Sequence, residues 1–100
     1  MKLLQNKIAI ITGAGRGIGR VIAEQYACDG AVVYINDLMP GDMEEWAKDC
    51  SLRHETRVVP ICFDVTDSAA LKSGLMQIYK AEGRIDVVVN NAAIIQNQKL

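Results

Sequence analysis

The chain has 100 residues, half of them hydrophobic, with 11 Lys+Arg against 12 Asp+Glu and a formal net charge of -1. That balance excludes intrinsic disorder, which needs low hydrophobicity and high net charge, and the lack of any basic run gives no support for a nucleic-acid partner. The longest unbroken apolar stretches are four or five residues, far short of the roughly 20 that span a bilayer. The opening MKLLQNK lacks the apolar run of a signal peptide, so a soluble, cytoplasmic chain of at most one domain is expected.

Two kinds of segment alternate. Residues 7–12, 31–36, 57–63 and 85–90 are short and rich in Ile and Val. They are apolar on both faces, as strands of a parallel sheet covered by helices must be. Between them lie stretches with helical spacing: Ile18, Val21, Ile22 and Tyr26, then Met43, Trp46, Ala47 and Cys50, then Leu71, Leu75, Ile78 and Tyr79, each set read as a stripe facing the core. Gly30 stands where the first helix should stop, Pro40-Gly41 opens the second, Asp67 is a suitable N-cap for the third and Gly83 ends it. Gly74 falls inside the third helix, where it costs about 1 kcal/mol relative to Ala with no visible return. The pattern is β-α-β-α-β-α-β with right-handed crossovers. Pro60 cannot donate to a ladder, which puts the third strand at a sheet edge.

Four of the eight glycines, Gly13, Gly15, Gly17 and Gly19, fall within seven residues at the first strand-to-helix junction. A bare backbone there allows a sharp turn and lets a diphosphate approach the first N–H groups of the following helix, with the positive dipole end behind them. The spacing G-x-G-x-x-G fails, because positions 18 and 20 are Ile18 and Arg20, and no Gly-Lys pair supplies a P-loop. A G-x-G-x-G match at 13, 15 and 17, of the kind found in methyltransferases, stays open. Thr12-Gly13-x-x-x-Gly17-Ile18-Gly19 resembles the cofactor loop of the short-chain dehydrogenase/reductase family.

Three further sites carry the same resemblance. Asp37 ends the second strand, where a carboxylate can accept both hydroxyls of an adenosine ribose; a turn-forming Asp is the alternative. Asp64-Val65 resembles the pair that meets the adenine ring, against the alternative of a helix-entry residue. Asn90-Asn91-Ala92-Ala93 resembles the family's N-N-A-G, with Ala93 in place of Gly. Two consecutive buried amides are costly unless paired, so both are expected to tie the strand to its neighbours and to the cofactor. The resemblance implies a Rossmann-like doubly wound parallel sheet of α/β class, of which residues 1–100 form the N-terminal portion (βαβαβαβ, strand order 3-2-1-4). It implies a cofactor site built from Gly13, Gly15, Arg16, Gly17, Ile18, Gly19, Asp37, Asp64, Val65, Asn91, Ala92 and Ala93. Asp37 would repel a 2′-phosphate, which favours NAD over NADP, while Arg16 is the opposing signal.

What the resemblance does not carry over is the chemistry. The family's acid/base pair is Tyr-x-x-x-Lys, but Tyr26, Tyr34 and Tyr79 are followed four residues later by Gly30, Leu38 and Gly83, and Asn97 is not in the family's helical Asn position. No catalytic residue is therefore assigned. The implied function is hydride transfer between NAD(H) and a small alcohol/carbonyl substrate, this chain supplying the adenosine and diphosphate half. A non-catalytic NAD-binding module is the alternative. The missing remainder of the domain implies exposed apolar surface, marginal stability for the chain alone, and homo-oligomers for a full-length protein. Cys28, Cys50 and Cys62 and the single His54 show no metal-site spacing; buried or half-buried thiols are expected, and no metal.

Overall fold

The computed structural model describes residues 2–15 and 17–91. The chain runs β1 (Ile8–Ile11), α1 (Gly17–Cys28), β2 (Val32–Asp37), α2 (Met43–His54), β3 (Val58–Cys62), α3 (Ser68–Glu82) and β4 (Val87–Val89). The strands form one parallel sheet in the order β3-β2-β1-β4, the Rossmann-like arrangement read from the sequence. Ile11 lies opposite Ile35 on one side and Val89 on the other. Pro60 pairs opposite Ile35 from the outer strand β3, whose free side needs no donor.

Strand alternation divides the core between two faces. Ala9, Ile11, Val33 and Ile35 pack under α1 and α2 with Ala23, Ala27, Met43, Ala47 and Cys50. Ile8, Ile10 and Tyr34 pack under α3 with Ile78. Ile10, Ile11 and Ile35 are fully buried, each removal from water contributing roughly 1.5–3 kcal/mol.

The α2 stripe faces the core as expected, with Met43, Ala47 and Cys50 buried and Trp46 packed beside them. The other two stripes need correction. Helix α1 buries Gly19, Ala23 and Ala27, while Ile18 and Val21 are 70% and 69% exposed. Its small residues let the helix backbone lie close to the sheet; Ile22 and Tyr26 of the expected stripe pack partly buried beside that seam, and only Ile18 and Val21 turn outward. On α3, Ile78 is buried and Leu75 packs beside it, but Tyr79 points to solvent.

The helix ends follow the sequence in part. Asp67 accepts from the amides of Ala69 and Ala70 at 3.0 and 3.2 Å, and Gly83 closes α3 in the left-handed region. Asp42 stands at the N-cap of α2 but makes no side-chain cap bond; its carboxylate pairs with Arg20 instead. Helix α2 ends on Glu55 with φ 54°, a left-handed residue that nothing in the sequence announced. Cys50 is buried, but Cys28 and Cys62 are exposed: the first lies on the outer side of α1 and the second at the end of the edge strand, so only one of three thiols meets the expectation of burial. Among the described residues no helix is long and apolar enough to cross a membrane.

Candidate functional site

The carboxyl ends of β1, β2 and β4 converge on the turn that opens α1. Thr12 leaves β1 buried, its amide and hydroxyl both donating to the Val89 carbonyl, at 3.0 and 3.3 Å. The hydroxyl also reaches Asn90 Oδ1 at 3.3 Å. The chain then turns through Gly13 and Gly17, at φ 65° and 64°, the left-handed region that a side chain disfavours. Between them the Ala14 amide donates to the Asn36 carbonyl at 2.7 Å and the Gly15 amide donates to Asp37 Oδ2 at 2.9 Å. The other Asp37 oxygen accepts from the Leu38 amide at 2.7 Å. Asp37 is thus the C-terminal residue of β2, held against the turn by its own carboxylate.

Close approach explains the remaining glycines. A Cβ at Gly19 would lie 2.4 Å from the Gly13 carbonyl oxygen and 2.9 Å from both Ala14 Cα and Asn91 Nδ2. Backbone cannot give way there, so the first turn of α1 rests directly on the loop. Asn91, 3% exposed, donates from Nδ2 to the Gly13 carbonyl at 3.1 Å and ties the end of β4 to the same turn. Of the two amides expected to be buried, only Asn91 is. Asn90, just past the end of β4, is exposed.

Asp64 and Val65 follow β3 into the third helix. Asp64 Oδ1 accepts from the Thr66 amide at 2.9 Å and the Thr66 hydroxyl at 2.6 Å, bonds that hold its carboxyl below the ordinary value. This is the helix-entry turn that was the alternative reading of Asp64. Val65 lines a cleft of about 310 Å³ with Thr12, Thr66, Leu71, Leu75, Val88 and Asn90, beside the exit of β1. Ile18 stands exposed on the first turn of α1. The other proposed site residues, Arg16, Ala92 and Ala93, lie outside the described residues, as does Asn97.

Sequence reading missed the clamp behind the loop. Arg20 donates to the Gly15 carbonyl through Nη2 and reaches the Ala14 carbonyl from Nε at 3.5 Å. It also pairs with Asp42 at 2.8 Å, holding that carboxyl below its ordinary value, and its guanidinium lies 5.1 Å from the Trp46 ring centroid. An arginine one position beyond a glycine string carries no signal of its own. Asn36 was visible as the lone amide within an apolar strand. It is fully buried, its Nδ2 donating to the Ile61 and Phe63 carbonyls at 3.1 and 3.2 Å, which lashes the ends of β2 and β3 together. The whole is a bare-backbone turn at a helix N-terminus with a carboxylate beside it. Such a place suits an anion joined to a group bearing hydroxyls.

The chain matches the family described as short chain dehydrogenase over residues 7–100. It is 40% identical over 96 residues, 96% of its length and 35% of the relative's, to an uncharacterized oxidoreductase, YxbG, of Bacillus subtilis strain 168. Among solved structures it is similar to carveol dehydrogenase from Mycobacterium avium in complex with NAD, at TM-score 0.81 and 32% identity, covering 91% of this chain and 37% of that one. It is also similar to an NADPH-dependent 3-quinuclidinone reductase from Rhodotorula rubra, at TM-score 0.81 and 29% identity, covering 85% of this chain and 32% of that one. The chain spans about a third of the length of the curated relatives it matches.

Proposed function

The chain belongs to the short-chain dehydrogenase family, and on that premise we propose that residues 1–100 are the N-terminal, cofactor-binding part of a single Rossmann domain in an NAD(H)-dependent oxidoreductase acting on an alcohol/carbonyl pair. Gly13, Gly15, Gly17, Ile18 and Gly19 would cradle the diphosphate. Asp37 would accept the adenosine ribose hydroxyls, Val65 with Asp64 would meet the adenine, and Asn91 would fix the floor under the turn. Arg16, Ala92 and Ala93 belong to the same proposal by resemblance. The turn fits such a group because it presents bare backbone, left-handed at Gly13 and Gly17, at the N-terminus of α1 with the Asp37 carboxylate beside it. The glycines at 15 and 19 are needed because a Cβ there would strike Asp37 and the loop itself.

When bound, the nicotinamide supplies the hydride acceptor or donor. This chain's own residues bind and orient. No tyrosine in it has Lys four residues on, so the proton-transfer pair belongs to the part of the relatives' length beyond these residues, and the 100 residues alone are proposed to be inactive.

The observation that carries the choice of NAD is the Asp37 carboxylate, at the end of β2 and 2.9 Å from the Gly15 amide. A 2′-phosphate placed beside it would meet a like charge. Calorimetric titration of NAD and NADP into the chain and an Asp37→Ala variant tests this. NAD should bind roughly tenfold or more tightly than NADP, a difference of about 1.4 kcal/mol, and the preference should vanish in the variant. Equal affinity of the unaltered chain for the two would remove the role given to Asp37.

A further inference from the structure

Helices α1 and α2 cross on the same sheet face, and their crossing brings together three side chains that are 26 to 30 positions apart or one helical turn apart in sequence. Cys50 and His54 sit at i and i+4 on α2, one above the other on one face. Glu24 projects toward them from α1. One ligand atom from each, a carboxylate oxygen, Sγ and a ring nitrogen, lie within 4.8 Å of one another. Cys50 is fully buried and forms the floor; the His54 and Glu24 side chains, 20% and 34% exposed, form the rim. Glu24 also lines a groove of about 390 Å³ with Gly17, Arg20, Val21, Gln25 and Trp46, which gives an approach from solvent.

We propose that Glu24, Cys50 and His54 form a site for a divalent cation of the zinc type, clamping α1 to α2. The donor set is one thiolate, one imidazole and one carboxylate, all ordinary zinc ligands, with a fourth position left for water. A tetrahedral ion would hold such donors roughly 3.3–3.7 Å apart, so the three side chains reach it by small rotamer shifts. Binding forms a metal–sulfur bond and breaks the Cys50 S–H bond, the proton leaving to solvent.

Arg53 is the competing cation and has somewhere else to go. Its guanidinium engages both Glu24 oxygens, through Nη1 and, at 3.1 Å, Nη2, while its Nε donates to Asp49 at 2.7 Å. Displaced from Glu24, Arg53 keeps the Asp49 pair, so no charge is left unpaired. The site is separate from the loop of Gly13–Gly19 and does not depend on the cofactor reading.

Cobalt(II) and zinc(II) are the probes. In the full chain carrying Cys28→Ser and Cys62→Ser, cobalt should give sulfur-to-cobalt charge-transfer absorption that saturates at one equivalent and is bleached by zinc. Cys50→Ser should abolish it. Because Cys50 is fully buried, the rim variants His54→Gln and Glu24→Gln supply the second test, with folding checked by circular dichroism. Each should weaken cobalt binding by more than the roughly tenfold that loss of an outer partner costs, and zinc should raise the melting temperature of the parent but not of these variants. Absence of the charge-transfer band in the parent, or unchanged cobalt affinity in both rim variants, overturns the site.

Discussion

Gly15 and Asp37 are locked to each other: the Gly15 amide donates to Asp37 Oδ2 at 2.9 Å, and a Cβ on Gly15 would lie 2.5 Å from that same oxygen. The pair joins the turn after β1 to the end of β2, so one contact fixes both the amide-lined turn and the carboxylate beside it. Gly15→Ala should push the Asp37 carboxylate off its hydrogen bond. The expected loss is on the order of 1 kcal/mol of stability, read by urea denaturation, with weaker NAD binding by calorimetry. An alanine variant as stable as the parent and unaltered in NAD affinity would show that the carboxylate moves aside freely.

Gly74 and Phe63 explain a glycine that looked wasteful. A Cβ at Gly74 would lie 2.4 Å from the Phe63 ring, so the bare helix surface is the seat of that ring, which closes the end of the core under α3. Two effects oppose each other in Gly74→Ala: about 1 kcal/mol gained from helix propensity and roughly 1–3 kcal/mol lost to overpacking. The substitution should therefore be destabilising in the parent. With Phe63→Ala already in place the clash is gone, and Gly74→Ala should be stabilising by about 1 kcal/mol. A double-mutant cycle by chemical denaturation reads the change of sign, and the same sign in both backgrounds would refute the account.

These two glycines mark what the sequence can and cannot tell. The strands themselves, the edge position of β3 and the cap at Asp67 were legible because each rests on a local rule: apolar runs, a proline without N–H, an aspartate before a helix. The turn of Gly13–Gly19 was legible for the same reason, whereas the strand order came from the family resemblance. The seat of Phe63 on Gly74, the Arg20 clamp on Asp42 and Trp46, and the outward turn of Ile18 and Val21 depend on which face of one helix meets another element, information that helical spacing alone does not contain. Asp64 shows the limit from the other side. Its place after β3 was foreseen, but its carboxylate closes a turn with Thr66.

Glu55 ends α2 at φ 54°, a conformation that costs a residue with a Cβ roughly 1–2 kcal/mol. The amide of Thr56, one residue on, is bonded to the Ser51 carbonyl at 3.3 Å, so the end of the helix is already well formed. Glu55 is exposed, so its side chain can be removed without opening the core. Glu55→Gly should raise stability by about 0.5–1 kcal/mol once the greater freedom of the unfolded glycine is offset. Thermal melting of the two proteins side by side checks it, and a lower melting temperature for the glycine variant would contradict it.

Glu82 sets the acid limb of stability on the α3 side of the sheet. Its side chain, 8% exposed, accepts from Arg57 Nη2 at 2.6 Å and from the Tyr34 hydroxyl. The Arg57 bond first and the Tyr34 bond second hold its carboxyl below the ordinary value of 4.5. A carboxylate depressed in the folded state binds its proton more readily in the unfolded one, so its contribution is complete above pH 4.5 and fades as pH falls toward the folded value. Glu82→Gln cannot ionise and loses the charge-assisted part of both bonds. It should be less stable than the parent by on the order of 1 kcal/mol at neutral pH, and the gap should narrow as the pH is lowered below 4.5. Urea midpoints across that range read the gap directly. A difference that stays constant with pH would mean that Glu82 acts through packing and not through its charge.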